Sequence, residues 1–161
     1  MEPRVELTER LAQALLARGW MLVTAESCTG GMVAEWCTSI SGSSRWFFGG
    51  FVTYDNRAKM EWLGVREETL RLHGAVSEQT VREMVDGALS RSPAQAALAI
   101  SGIAGPTGGT PDKPVGTVWI GWGIEDRRWA ERFHFDGDRD AVRRQAAQAA
   151  LEGLSTRLQL L

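Results

Sequence analysis

The sequence is poor in the residues that most often build reactive or cross-linked sites. Among 161 residues there are two histidines, two cysteines and one tyrosine. Two cysteines cannot form a disulfide framework, and we expect Cys28 and Cys37 to share one helix. At a rise of 1.5 Å per residue they would lie about 13 Å apart, too far for a disulfide bridge. We therefore expect free thiols and a cytoplasmic, reducing location.

Excess charge and long apolar runs are also missing. The net charge is −2, so no sequence-wide positive field attracts nucleic acid or anionic lipid. No apolar stretch approaches the ~20 residues of a membrane span. Glu2, Glu6 and Glu9 interrupt the N-terminus, which is unlike a signal peptide. We expect neither a nucleic-acid nor a membrane partner.

The scarcity of histidine limits the chemistry that the chain could perform. His73 follows a predicted helix and His134 lies in an exposed-looking strand, which disfavours a Ser-His-Asp triad. The spacing of cysteine and histidine matches no zinc site. The acidic run 136–140 resembles a calcium loop, but Ala141 and Ala147 replace its glycine and glutamate. No glycine-rich segment matches a P-loop or dinucleotide-binding pattern. The residues indicate neither a metal nor an organic cofactor.

The most informative segment is Thr24-Ala25-Glu26-Ser27-Cys28-Thr29-Gly30-Gly31. An apolar, β-prone run precedes it and a helix-forming run follows it, which predicts a strand, a tight turn and a helix N-terminus. Unpaired N–H groups at a helix N-terminus can bind an oxyanion or phosphate, and glycines leave that backbone accessible. The alternative is an ordinary polar turn in which Ser27 or Thr29 caps the helix.

The rest of the chain alternates strand and helix patterns. Strands are predicted over 20–25, 46–54, 96–101, 115–122 and 128–135. Helices are predicted over 4–18, 30–39, 55–63, 66–72, 77–90 and 138–159. The last two strands form a hairpin, and helices flank the whole set of strands. These patterns predict a single α/β domain over residues 1–161, a three-layer α/β/α sandwich with a mixed sheet of about five strands.

Three residues could supply hydrolytic chemistry. The lysines of the chain are Lys59 and Lys113, and Lys59 follows Tyr54 at a predicted strand-to-helix junction. A partly desolvated lysine loses its proton more easily and could deprotonate Ser27, directly or through the phenol. We then expect Lys59 to point inward, within hydrogen-bond reach of Ser27 or of Tyr54 between them. Taken singly, Lys59 also fits a solvated helix position and Tyr54 a strand-end aromatic.

Two further features of the sequence, a cysteine and a glycine-rich loop, could belong to a functional site. Cys28 is a rival nucleophile at the helix start, but it has no evident base, and buried structural cysteine is common. The loop 102–110 is glycine-dense and too long to be a simple connector. Because such a loop presents many backbone donors, we expect it to bind the substrate.

Six ordered motifs form a more specific pattern than any single residue. They are Ala25-Glu26-Ser27-Cys28-Thr29-Gly30-Gly31, Gly42-Ser43-Ser44, Gly49-Gly50 with Tyr54-Asp55-Asn56 and Lys59, Gly74-Ala75-Val76-Ser77-Glu78, Ser101-Gly102-Ile103-Ala104-Gly105-Pro106, and Lys113-Pro114-Val115-Gly116-Thr117. With these motifs the chain resembles the CinA C-terminal domain family, the nicotinamide-nucleotide amidases, over essentially its whole length. It looks like the stand-alone form, without the N-terminal molybdopterin-binding-like domain of longer CinA proteins.

The resemblance implies hydrolysis of nicotinamide mononucleotide to nicotinate mononucleotide and ammonia, a salvage reaction that needs no metal or organic cofactor. Ser27 would be the nucleophile, and Tyr54 and Lys59 would activate it. Backbone N–H groups around Thr29 and Gly30 would hold the oxyanion. The expected partner is a small nucleotide substrate, and we expect a homo-oligomer.

The resemblance also implies a set of substrate-binding residues. They are Thr29, Gly30, Gly31, Ser101, Gly102, Gly105, Thr107, Arg139 and Arg143. Ser101 stands where many members carry threonine, a departure that keeps the hydroxyl. Two alternatives stay open: a non-catalytic nucleotide-binding domain of a competence- or damage-linked protein, and a different amidase or esterase with the same nucleophile. Pure binding would not need the set of Ser27, Tyr54 and Lys59.

Overall fold

In the computed structural model, which describes residues 2–161, five strands form one mixed sheet. They are β1 (Leu22–Glu26), β2 (Phe47–Val52), β3 (Ala96–Gly102), β4 (Thr117–Ile124) and β5 (Arg127–His134). The strand order is β2-β1-β3-β4-β5. Strand β1 is parallel to β2 and β3, whereas β4 is antiparallel to β3 and β5. The predicted mixed sheet of five strands is confirmed.

Helices cover both faces of this sheet. They are α1 (Pro3–Arg18), α2 (Met32–Thr38), α3 (Asn56–Leu63), α4 (Glu67–His73), α5 (Glu78–Ser90) and α6 (Arg139–Gln159). One core cluster contains Leu11, Val33 and Leu151 and joins α1, α2 and α6 to the sheet. The second contains Leu63 and Met84 and joins α3 and α5 to the opposite face. The three-layer α/β/α arrangement is therefore confirmed.

The three parallel strands, β1, β2 and β3, determine where the site lies. All five residues of β1 are buried, as expected for a strand covered on both faces. The chain leaves β1 through α2 to reach β2, and then returns across β1 through α3, α4 and α5 to reach β3. Ligands in open α/β sheets bind at such a reversal, beside the carboxyl ends of the strands. Among residues 2–161 no helix has the length and apolarity that crossing a membrane would require.

The start of α2 differs from the prediction. Gly30 and Gly31 have φ angles of 60° and 105°, a left-handed conformation that delays the helix until Met32. Cys28 therefore lies in the turn, and the expectation that it shares a helix with Cys37 is wrong. Both thiols are free and buried. Strand β1 also begins at Leu22, two residues later than predicted.

The packing of α5 against the end of α3 gives a first testable prediction. A Cβ atom added at Gly87 would overlap the carbonyl oxygen of Leu63, a backbone atom that cannot easily move. We expect Gly87→Ala to lower the free energy of unfolding by about 1–3 kcal/mol, even though alanine favours a helix. Urea denaturation measures this change. The control is Gly49→Ala, where no atom lies within 4 Å of the added carbon. A Gly87→Ala protein as stable as wild type would contradict the packing described.

Candidate active site

Lys59 lies in α3 with its amine turned into the protein. The residue is only 1% exposed. Its Nζ atom is 3.0 Å from Ser27 Oγ, 2.9 Å from the carbonyl oxygen of Thr53 and 3.1 Å from the carbonyl oxygen of Tyr54. The predicted inward orientation of Lys59 is confirmed, and its contact with Ser27 is direct.

The local sequence explains how Lys59 reaches this position. Asp55 precedes α3, and its carboxylate accepts a 2.8 Å hydrogen bond from the N–H of Arg57, which caps the helix. Lys59 is the fourth residue of α3. A side chain one turn into a helix leans back toward the N-terminus, here toward the end of β2 and the turn after β1.

The environment of Lys59 changes its acidity. Burial lowers the pKa of Lys59 to about 8, because the ammonium form loses its hydration. Its hydrogen-bonding partners are a hydroxyl and two carbonyl oxygens, none of which carries a negative charge. At pH 7 roughly a tenth of the amine would then be neutral, against well under 1% for a free lysine.

Ser27 is fixed by the strand end and by the turn that follows. Its N–H donates to the carbonyl oxygen of Ile100 on β3 at 2.9 Å. Its own carbonyl oxygen accepts from the N–H of Gly30 at 3.0 Å. The residue is 8% exposed. Because the backbone is tied on both sides, the Ser27 hydroxyl is held against Lys59.

A buried carboxylate organises the same turn. Glu26 is 1% exposed and accepts from the hydroxyl of Thr29 at 2.6 Å and from the N–H groups of Val33 and Ala34 at 3.0 and 3.1 Å. Glu26 thereby satisfies the second and third N–H groups of α2, whose N-cap residue, Gly31, has no side chain. The alternative in which Ser27 or Thr29 caps α2 is wrong.

Arg143 on α6 reaches the turn from the opposite side. Its Nε atom donates to the carbonyl oxygen of Cys28 at 2.9 Å, and its Nη2 atom donates to that of Thr29 at 3.2 Å. The sequence predicted Arg143 and Thr29 as substrate contacts. In the structure the guanidinium binds protein carbonyls and the Thr29 hydroxyl binds Glu26.

A cavity of about 250 Å³ opens at the Ser27–Lys59 contact. Its lining residues are Ser27, Cys28, Tyr54, Asn56, Lys59, Ala75, Val76, Ser101, Gly102, Ala104 and Arg139. The structure thus brings together Ser27, Tyr54, Lys59, Ser101, Gly102 and Arg139 from the predicted set. The remaining predicted residues do not line this cavity: Thr29, Gly30, Gly31, Gly105, Thr107 and Arg143. Thr107 is exposed on the glycine-rich loop.

Tyr54 and Arg139 meet at the rim of the cavity. Arg139 Nη2 donates to the Tyr54 hydroxyl at 3.1 Å, and Nη1 donates to the carbonyl oxygen of Gly105 at 2.9 Å. Tyr54 is 61% exposed. Its hydroxyl does not lie between Ser27 and Lys59, and only its carbonyl oxygen contacts the lysine. Of the two possibilities left open by the sequence, the direct contact is the one found.

Cys28 lines the cavity but differs from a reactive thiol. Burial raises the pKa of the Cys28 thiol to about 12, so the thiol stays protonated at neutral pH. No side chain within hydrogen-bond reach could act as its base, whereas Lys59 lies against Ser27. The geometry favours the serine.

Sequence reasoning assigned no role to several residues of the site. Asn56, the first residue of α3 after the capping residue Asp55, lines the cavity. Ala75 and Val76 form part of the wall. All three residues lie inside the six ordered motifs, and this was the sequence signal by which they could have been found. Glu26 was missed as well, because a capping carboxylate seven residues before its target matches no local capping pattern.

The fold and this cavity together define an α/β domain with a serine–lysine site at the carboxyl ends of parallel strands. Serine–lysine pairs perform nucleophilic catalysis without histidine. A family model, CinA C-terminal domain, matches residues 4–158. The chain belongs to this family.

Individual relatives extend over nearly the same length. The nicotinamide-nucleotide amidohydrolase PncC of Shigella flexneri is 57% identical over 153 residues, which covers 93% of this chain and 92% of that protein. The protein of the same name from Escherichia coli K12 is 56% identical over 151 residues, with the same coverage. A crystal structure of a competence-damaged protein (CinA) superfamily member from Klebsiella pneumoniae 700603 superposes with a TM-score of 0.95 at 44% identity, covering 99% of this chain and all of that one.

The lowered pKa of Lys59 predicts how stability depends on pH. Between about pH 8 and the ~10.4 of free lysine, the unfolded chain binds more protons than the folded one, so stability must rise with pH in this window. We expect the free energy of unfolding of wild type, minus that of Lys59→Met, to be constant below about pH 8 and to increase above it. Urea titrations from pH 7 to 10.5 measure this difference, in which other titrating groups cancel. A constant difference across the range would contradict a depressed pKa.

Proposed function

We propose that this chain hydrolyses the carboxamide of nicotinamide mononucleotide to nicotinate mononucleotide and ammonia, with Ser27 as the nucleophile. The observation that carries this proposal is the 3.0 Å contact between the buried amine of Lys59 and the Ser27 hydroxyl, in a cavity of about 250 Å³. The choice of substrate is supported by the activity for which the relatives from Shigella flexneri and Escherichia coli are named.

The contacts of Lys59 suit a neutral amine. A neutral amine has two N–H bonds and one lone pair, whereas the carbonyl oxygens of Thr53 and Tyr54 can only accept. Both N–H bonds are therefore directed to these carbonyls. In this neutral form the lone pair is left for the hydroxyl proton of Ser27, whereas the ammonium form donates to the Ser27 Oγ atom at 3.0 Å. Lys59 is thus oriented as a general base before any substrate binds.

The reaction then follows in two halves. Ser27 Oγ attacks the carboxamide carbon while its proton moves to Lys59 Nζ. The tetrahedral intermediate collapses when the C–N bond breaks, and the Lys59 ammonium returns the proton to the departing ammonia. In the second half, Lys59 takes a proton from a water molecule as the water oxygen attacks the acyl carbon. The ester C–O bond then breaks and Lys59 returns the proton to Ser27 Oγ, which frees the carboxylic acid product to ionise. No other proton carrier is needed.

Backbone N–H groups supply the oxyanion site in this proposal. The N–H of Gly30 is occupied by the carbonyl oxygen of Ser27, so it cannot take the role expected from the sequence. Among residues 2–161, the N–H groups of Cys28 and Thr29 have no hydrogen-bond acceptor. The N–H of the residue after the nucleophile is a common oxyanion donor. We assign that role to Cys28, which lines the cavity, and not to Thr29, which is buried and does not line it.

The rest of the nucleotide would be bound at the rim. Arg139 is a partly free cation with two hydrogen bonds to neutral groups, which suits the 5′-phosphate. The exposed ring of Tyr54 offers a surface for the pyridine ring. The amide of Asn56 and the hydroxyl of Ser101 can hydrogen-bond the carboxamide or the ribose. A cytoplasmic location and a homo-oligomer stay predictions.

Ammonia release by the purified chain tests the proposal, with Ser27→Ala as the decisive variant. We expect a loss of at least about 10³-fold in kcat, because the acyl-enzyme cannot form. The matched control is Cys28→Ala, which should keep substantial activity because that thiol stays protonated. A dead Cys28→Ala enzyme beside an active Ser27→Ala enzyme would reverse the assignment. No ammonia from wild type would favour the non-catalytic binding role, and equal turnover of the dephosphorylated nucleoside would indicate a different amidase.

The role of Lys59 gives a separate prediction. Lys59→Arg keeps a positive charge but offers no base at accessible pH, so it should be nearly as inactive as Lys59→Ala. Lys113→Arg serves as the matched control, since Lys113 does not line the cavity. For wild type, kcat/KM should rise with pH and level off above about pH 8, as Lys59 loses its proton. An active Lys59→Arg enzyme would mean that the lysine contributes only charge.

A further inference from the structure

The turn after Ser27 is held from outside by a residue that lies 115 positions away in the sequence. Arg143 donates one hydrogen bond to the carbonyl oxygen of Cys28 and a second to that of Thr29. The turn continues into Gly30 and Gly31, both in left-handed conformations. Because glycine is conformationally permissive, this segment would have alternative backbone arrangements if the two carbonyls were released.

Resting on the function proposed above, we propose that Arg143 is a positioning residue for the reaction, which acts through the peptide groups of Cys28 and Thr29 rather than through the substrate. In a trans peptide the C=O and N–H bonds point in opposite directions. Within residues 2–161 the only cis peptide bond is Gly105–Pro106, so the peptides of this turn are trans. By holding the Cys28 carbonyl toward α6, Arg143 fixes the plane of the peptide that joins Cys28 to Thr29.

The neighbouring peptide is fixed in a similar way. The Ser27 carbonyl oxygen accepts from the N–H of Gly30, so the Cys28 N–H points in the opposite direction. Cys28, whose N–H is the assigned donor, is thus held through the peptide groups on both of its sides, by the N–H of Gly30 before it and by Arg143 after it. The hydrogen bond to the Ser27 carbonyl also polarises that peptide and strengthens the Cys28 N–H as a donor.

Glu26 is the counterpart of Arg143 across the turn. Its buried carboxylate accepts from the Thr29 hydroxyl and from two N–H groups of α2. The turn is thus held by an acceptor, the Glu26 carboxylate, on one side and by a donor, the Arg143 guanidinium, on the other. Neither Glu26 nor Arg143 lines the cavity. Both side chains hold the backbone of the turn in place and do not themselves contact the substrate.

Kinetic constants separate this role from substrate binding. A group that positions an oxyanion donor changes the transition state, so its loss lowers kcat and leaves KM nearly unchanged. For Arg143→Met we expect kcat for ammonia release to fall by about 10²-fold, the usual effect of one oxyanion donor, with KM within about twofold of wild type. Arg139→Met, by contrast, should mainly raise KM.

The matched control is Arg144→Met. Arg144 is the next residue on α6, it is exposed, and it pairs with Asp140 at 2.7 Å. It should leave both constants unchanged. Arg143→Lys is the second variant, because an ammonium can still donate to at least one of the two carbonyls. It should recover part of the activity that Arg143→Met loses, and urea denaturation of both variants checks that they are folded.

A second readout does not require the nucleotide. A fluorophosphonate reacts with Ser27 by forming an O–P bond and releasing fluoride, and its phosphoryl oxygen uses the same oxyanion donors. The labelling rate should fall in Arg143→Met in parallel with kcat. If wild type releases ammonia but Arg143→Met keeps the kcat and the labelling rate of wild type, this inference alone is overturned. A raised KM with unchanged kcat in Arg143→Met would overturn it as well. A wild type that neither releases ammonia nor reacts at Ser27 would contradict the proposed function, and this inference with it.

Discussion

A buried lysine amine without a carboxylate partner is the constraint on which the rest of the site depends. Burying an unpaired ammonium is costly, and the usual compensation is an ion pair. Here Lys59 meets a hydroxyl and two carbonyl oxygens instead. This environment lowers the pKa of Lys59 and so increases the fraction of neutral amine, which is the form that can accept a proton from Ser27. The same desolvation that costs stability therefore creates the base.

The topology of the sheet places the residues of this site at the carboxyl ends of its parallel strands. Strand β1 ends at the residue before Ser27, β2 ends before the carbonyls of Thr53 and Tyr54, and β3 ends at Ser101 and Gly102. Parallel strands bring these ends together, and α3 then returns Lys59 to them. Helix α6, the last element, closes the site by contributing Arg139 and Arg143. The cavity is thus lined by residues from the end of β1 to the first residue of α6.

The strands and helices could be predicted because local sequence patterns determine them, and the strand–turn–helix pattern located Ser27. Lys59 follows Tyr54 by five residues, a position that also fits a solvated lysine, so the family resemblance was needed to identify it as a site residue. What failed depended on contacts between distant segments: Glu26 replaces the expected helix cap, and Arg143 turns to the backbone instead of the cavity. Side-chain direction at such positions is set by tertiary packing, which a local pattern does not contain.

The titration of Lys59 itself tests the central claim most directly. The chain has two lysines, so a protein labelled with ¹³C at lysine Cε gives only two Cε signals, and Lys59→Met assigns them. We predict that the Cε signal of Lys59 shifts with a midpoint near pH 8. We also predict that this midpoint moves when Ser27 is replaced by alanine, because the amine loses a hydrogen-bond partner. A midpoint near the ~10.4 of free lysine would show that well under 1% of the amine is neutral at pH 7 and would contradict its role as the base.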